Sequence, residues 1–219
     1  MLPHQTAFLE LALQHEVLKF GEFTLKSGRL SPYFFNLGKI SSGAAMARLS
    51  RAYARALTGA GLSFDMLFGP AYKGIPLATG VSYALSEDGR DVPYAYNRKE
   101  AKDHGEGGTL VGAPLAGKKV VIVDDVLTAG TALREAVAMI RVAGGEPVAA
   151  IIALDRQERG KGTRSAVAEM EADTGVRVIA LVSVRDILAY LQTRSAGTDV
   201  DIVNSIQAYQ DRYGVTSGQ

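Results

Sequence analysis

Across residues 118–145 the hydrophobic pattern changes period once, and polar residues gather at the change. Lys118 and Lys119 open the stretch, and residues 120–123 form an unbroken β-branched apolar run. A run of that length and branching predicts a short strand buried on both faces. "TALREAVAMIRVAGG" then sets Leu133, Ala136, Val137 and Ile140 on one face at helical spacing. It stops at Gly144 and Gly145, which suit a helix C-terminus. The polar residues between, "DDVLTAG", are therefore a loop that leads from a strand into a helix.

The same alternation recurs along the chain. "DMLFG", "VPYAY", "PVAAIIALD" and "VRVIALVSV" read as strands, and "SGAAMARLSRAYARALTGAG" and "GIPLATGVSYALSE" as the helices between them. Strands alternating with helices predict an α/β fold, a central mostly parallel sheet flanked by helices. The N-terminal "MLPHQTAFLELALQHEVLKF" reads as one amphipathic helix. Glu10 within it and the absence of a basic leader argue against a signal peptide, and no apolar run is long enough to span a membrane. With 219 residues, 47% of them hydrophobic, one domain with one substantial core is expected. Ligands of such sheets sit at the carboxyl ends of the strands, where "GPAYKG", "NRKEAKDHGEGG", "DDVLTAGT" and "DRQERGKG" are expected as loops.

Composition narrows the chemistry. With no cysteine, disulfides, thiolate metal sites and a cysteine nucleophile are excluded, and a reducing cytoplasm is the expected compartment. A net charge of +1 offers no general attraction to nucleic acid or to an anionic membrane, so any anion site must be local. The loop before the residue 131 helix is such a site. Its unpaired N–H groups lie at the positive end of the helix dipole, its side chains are small, and Gly130 permits an unusual backbone angle. The hydroxyls of Thr128 and Thr131 add donors. Asp124 and Asp125 beside an anion site make sense if they face another part of the same ligand, such as a ribose diol or the field of a bound Mg²⁺. The ligand would then be a sugar phosphate. A "DD" pair alone is better explained as a helix cap, but two acids, two threonines and a glycine in this order exceed what a turn requires.

Two rival motifs fail. "GAPLAGKK" nearly matches a nucleotide phosphate loop, but it ends on Lys119 where a hydroxyl residue should hold magnesium, and it precedes a strand when it should follow one. A receiver domain would need a lysine at a later strand end, and none stands there.

With these residues assembled, the chain closely resembles the orotate phosphoribosyltransferase family, type I phosphoribosyltransferases that use 5-phosphoribosyl 1-diphosphate (PRPP). "FTLKSGRLSPYFFN", "FGPAYKGIPLA", "RKEAKDHGEGG", "DDVLTAGT" and "ALDRQERG" carry the resemblance, which runs nearly end to end. It implies the type I phosphoribosyltransferase fold with a small N-terminal hood over about residues 1–40. It also implies transfer of the phosphoribosyl group from PRPP to orotate, with Mg²⁺ held mainly by PRPP and no direct protein ligand to the metal. A purine phosphoribosyltransferase or a PRPP-sensing regulator on the same fold is the alternative.

The resemblance also implies roles for individual residues. Val126, Leu127, Thr128, Ala129, Gly130, Thr131 and Ala132 would hold the 5′-phosphate, and Asp124 and Asp125 the ribose hydroxyls. Lys26, Tyr72, Lys73, Arg98, Lys99, Lys102 and His104 would meet PRPP, with Lys102, His104 and Asp125 as the catalytic residues. Phe34, Phe35, Thr128 and Arg156 would line the orotate site, the arginine offering a fork suited to a carboxylate. Read without the family, most of these are ordinary: a turn pair at Tyr72 and Lys73, core aromatics at Phe34 and Phe35, surface charges at Lys26 and Arg156. In "RKEAKDHGEGG" acids offset the bases, so it is no simple basic patch but a charged, glycine-rich segment able to close over a substrate. The family implies a homodimer in which this segment, residues 98–108, serves the neighbouring subunit's PRPP.

Overall fold

The computed structural model of the protein describes residues 1–25, 27–102, 108–127, 130–160, 162–194 and 200–215. In chain order the elements are α1 (Pro3–Gln14), β1 (Leu18–Thr24), β2 (Leu30–Phe35), α2 (Gly43–Gly59), β3 (Met66–Gly69), α3 (Gly74–Glu87), β4 (Tyr94–Lys102) and β5 (Gly108–Gly112). They continue with β6 (Lys119–Val123), α4 (Thr131–Val142), β7 (Glu146–Asp155), α5 (Ala166–Thr174), β8 (Arg177–Ser183), α6 (Val184–Arg194) and α7 (Val200–Tyr213). Six strands form one sheet in the order β5-β4-β3-β6-β7-β8, parallel throughout except for β5, which runs antiparallel to β4. β1 and β2 form a separate antiparallel pair.

The strand of residues 120–123 is buried on both faces, as its composition requires. Val121 and Val123 join the core on one side of the sheet, with Leu49 and Tyr53 of α2 and Leu77 and Val81 of α3. Val120 and Ile122 join the core on the other, with Leu133, Ala136, Val137 and Ile140 of α4. Each such side chain contributes about 1.5–3 kcal/mol by leaving water, so β6 fixes the position of everything attached to its carboxyl end. α3 and α4 occupy the stretches their periodicity marked. Among the described residues no helix is long and apolar enough to cross a membrane.

Three expectations need correction. The N-terminal helix ends at Gln14, and residues 18–24 are strand; Glu16, in a left-handed conformation, makes the break. The hairpin β1–β2 went unread because Gly21 and Pro32 interrupt its pattern. "NRKEAKDHGEGG" is not wholly a loop, since β4 runs on through it to Lys102 and β5 returns from Gly108 along the sheet edge. Residues 103–107, His104 among them, lie outside the described residues.

The turn from β3 into α3 depends on a close backbone approach. A Cβ added to Gly69 would stand 2.2 Å from the carbonyl oxygen of Gly74 and 3.0 Å from the Cβ of Ala78. We expect Gly69→Ala to destabilise the fold by about 2 kcal/mol or more, since neither the turn nor the helix behind it has room to shift. Urea unfolding of the variant checks this, and an unchanged midpoint would contradict it.

Candidate active site

The carboxyl ends of β3, β6 and β7 lie side by side in the sheet, and the turn leaving β3 meets the residues that follow β6. Past β6 the ladder continues: the Asp124 N–H donates to Ile151 O at 3.0 Å, and the Ala153 N–H to Asp125 O at 2.8 Å. Val126 forms a parallel bridge with Leu154. The two aspartates are therefore held by backbone bonds to β7 before their side chains engage anything. The Asp125 N–H then donates to Asp124 Oδ1 at 2.8 Å, the Val126 N–H to Asp125 Oδ1 at 2.9 Å, and the Tyr53 hydroxyl, from α2, to Asp124 O at 2.9 Å.

Lys73 arrives from the β3 turn, and its Nζ pairs with Asp125 Oδ2 at 2.5 Å. Gly74 makes this possible, because a Cβ there would stand 2.8 Å from Val123 O and 2.5 Å from the ring of Pro70. The Ala71–Tyr72 peptide is cis, and Ala71 N–H donates to Asn97 Oδ1 at 2.9 Å, which ties this turn to β4. Tyr72 is 66% exposed, with the Lys99 ammonium 4.8 Å from its ring centroid. Arg98 and Lys102 follow from the same strand. Gly130, left-handed at φ 71°, heads α4, followed by the exposed Thr131 and Ala132. Val126 and Leu127 are partly buried on opposite cores. Thr128, Ala129 and Lys26 lie outside the described residues.

Arg156, just past β7, is the centre of a second cluster. Its Nε donates to Glu158 Oε1 at 2.7 Å, its Nη2 lies 2.6 Å from the same oxygen and 3.2 Å from Ser31 Oγ, and its guanidinium covers the Tyr33 ring at 4.3 Å. Arg29 adds a longer pair to Glu158 at 3.4 Å. Burial pulls the Arg156 guanidinium down, but Tyr33 and Glu158 more than offset it, so the group stays firmly charged. Ser31 and Tyr33 share one face of β2 with Phe35, whose ring packs 6.3 Å from Phe8; Phe34 points the other way, 38% exposed, with its ring 5.5 Å from Phe23. The two phenylalanines thus stand on opposite sides of their strand. Sequence reasoning named Arg156 and missed Glu158, Ser31 and Tyr33. Only Glu158, two residues from Arg156, carried a local hint.

Asp124 is the titrating group of interest. Burial pushes its carboxyl up to about 6, the neighbouring Asp125 adds to the rise, and the Asp125 N–H and Lys73 restrain it. Among the described residues no three His, Asp or Glu side chains are grouped to hold a metal.

The model of the family described as the phosphoribosyl transferase domain matches residues 37–181. The chain is 58% identical over 219 residues to an orotate phosphoribosyltransferase of Xanthomonas euvesicatoria pv. vesicatoria, covering 98% of both chains. It is 56% identical over 216 residues to an orotate phosphoribosyltransferase of Thioalkalivibrio sulfidiphilus, covering 98% of this chain and 100% of the relative. Among solved structures, the orotate phosphoribosyltransferase of Francisella tularensis superposes with a TM-score of 0.86 at 40% identity, covering 94% of this chain and 98% of that one.

An ionised carboxylate accepts from hydroxyls more strongly than a protonated one, so on the expectation that Asp124 meets a ribose hydroxyl its protonation should weaken sugar phosphate binding as pH falls through about 6. Asp124→Asn removes that proton site. The ratio of wild-type to variant kcat/KM for the sugar phosphate should shrink between about pH 8 and pH 5, a comparison that cancels the substrate's own ionisation. A ratio flat over that span would show that Asp124 is not the group involved.

Proposed function

The chain belongs to the orotate phosphoribosyltransferases, and we propose that the crevice at the carboxyl ends of β3, β6 and β7 is where its PRPP and orotate meet. The enzyme transfers the 5-phosphoribosyl group of PRPP to orotate, giving orotidine 5′-monophosphate and pyrophosphate, a step of pyrimidine biosynthesis. The observation that carries the placement is the Lys73–Asp125 pair, which joins the β3 turn to the loop before α4.

In this reading the N-terminus of α4 takes the 5′-phosphate on residues 126–132, and Asp124 and Asp125 accept from the ribose hydroxyls. Lys73 then exchanges partners, leaving Asp125 to the diol and turning to the diphosphate. Cleavage at the anomeric carbon leaves positive charge on the sugar ring and negative charge on pyrophosphate. Catalysis is therefore positioning and charge stabilisation, with no protein nucleophile. Tyr72, Arg98, Lys99, Lys102 and His104 act on the departing pyrophosphate, and Lys26 reaches the same region. Mg²⁺ bound to PRPP supplies further charge neutralisation. The residues present fit a substrate-held ion: two adjacent carboxylates, with Asp124 Oδ2 engaged by no hydrogen bond among the described residues. Arg156 receives the orotate carboxylate, with Thr128 and the β2 segment of Phe34 and Phe35 beside the base. The protein works as a cytoplasmic homodimer.

Purified protein given PRPP, Mg²⁺ and one base at a time should release pyrophosphate with orotate and not with uracil, hypoxanthine or adenine. Release with a purine, or no release with any of the bases while PRPP still binds, would overturn the acceptor.

The shared-segment reading has its own test. Tyr72 and Lys99 stand together on an exposed face, where a neighbouring subunit could meet them. Subunits carrying Asp125→Asn are mixed, by unfolding and refolding, with subunits carrying Lys102→Ala. If residues 98–108 serve the partner, one site of each mixed dimer is intact and activity rises far above both parents, since loss of one charge-stabilising group costs on the order of 10² to 10³ in rate. Activity at the parental level, with mixed dimers present, would rule sharing out.

A further inference from the structure

The Arg156 cluster holds more than a substrate carboxylate requires. Its arginine is already paired within the protein: Nε and Nη2 both engage Glu158 Oε1, at 2.7 and 2.6 Å. Tyr33, wholly buried, supports the guanidinium plane from below, and Ser31 Oγ accepts from Nη2 at 3.2 Å. No hydrogen bond engages Nη1 among the described residues. An arginine fastened along one edge and beneath its plane has only its far end to offer.

Glu158 is itself held in place. Gln157 adopts a left-handed backbone at φ 51°, turning the chain so that Glu158 folds back toward Arg156. Three contacts fix that turn: the Gln157 N–H donates to Asp155 Oδ1 at 2.9 Å, the Val215 N–H to Gln157 O at 3.0 Å, and Gln210 Nε2 to Arg156 O at 3.2 Å. Gln210 of α7 and Val215 just beyond it thus brace the turn that sets the arginine. Two guanidiniums, of Arg29 and Arg156, face one carboxylate, which leaves a single positive charge for a ligand to meet.

We propose that Glu158 is a positioning residue for the acceptor: by binding the Nε–Nη2 edge of Arg156 it leaves the Nη1 end to receive the carboxylate of the base. The inference rests on the reading that Arg156 binds that carboxylate. A loose arginine still attracts an anion but no longer fixes the ring nitrogen against the sugar, and misplacement of this kind costs up to about 10²-fold.

The test uses Glu158→Ala, Glu158→Gln and Arg156→Ala in the full-length protein, with separate KM values for orotate and PRPP. Glu158→Ala should raise the orotate KM about tenfold or more and leave the PRPP KM within about twofold. Glu158→Gln keeps an oxygen that accepts from Nε and should recover most of that loss. It also keeps the shape of the side chain, so it stands as the test if the alanine variant fails to fold. A Glu158→Ala enzyme with a normal orotate KM overturns the proposal. So does an equal rise of both KM values, which marks a general structural role, or a Glu158→Gln enzyme no better than the alanine one. Arg156→Ala separates the two layers: a normal orotate KM there defeats the carboxylate reading itself, whereas a raised one beside a normal Glu158→Ala enzyme defeats only the positioning role.

Discussion

The double burial of β6 is the constraint from which the rest of the architecture follows. A strand whose alternate side chains enter two different cores cannot slip by one residue without exchanging both sets, so its register is fixed and so is the point where it leaves the sheet. Two carboxylates placed at that point inherit the precision. The backbone bonds that continue the ladder to β7 hold them before their side chains engage anything.

Burial also sets the electrostatics. Asp124 is drawn far enough from water that its charge is costly, and Asp125 beside it raises the cost further. Lys73 offsets part of this from a half-exposed position, so the pair is held by geometry more than by Coulomb energy, which solvent weakens. At Arg156 the balance differs: with 17% of its side chain exposed and its partner at 13%, the pair lies mostly out of solvent and its hydrogen bonds are correspondingly directional. One ion pair is thus open to solvent on its lysine side, and the other lies mostly out of it.

Much of this was legible in the sequence, for identifiable reasons. The branched run before Asp124, the helical spacing of Leu133 to Ile140 and the glycines that end α4 are local signals, and local signals survive in a linear reading. The hairpin β1–β2 was hidden because Gly21 and Pro32 break its alternation, and β5 because a short strand between glycines looks like a turn. Candidate site residues were found where a motif concentrated them. Ser31 and Tyr33 were missed because their meeting with Arg156 spans 125 residues or nearly so, and nothing near them in the chain announces it.

The bracing of residues 156–158 by Gln210 and Val215 has a consequence for how the molecule is made. A ribosome delivers the chain from its amino end, and domains gain structure as they emerge. β3, β6 and α4 are available while α7 is still unwritten, so the carboxylate pair and the helix that follows it can assemble first. The turn bearing Arg156 must wait for α7 and for Val215 just beyond it. A chain cut before Gln210 would keep every strand of its central sheet and lose the strap that shapes that turn.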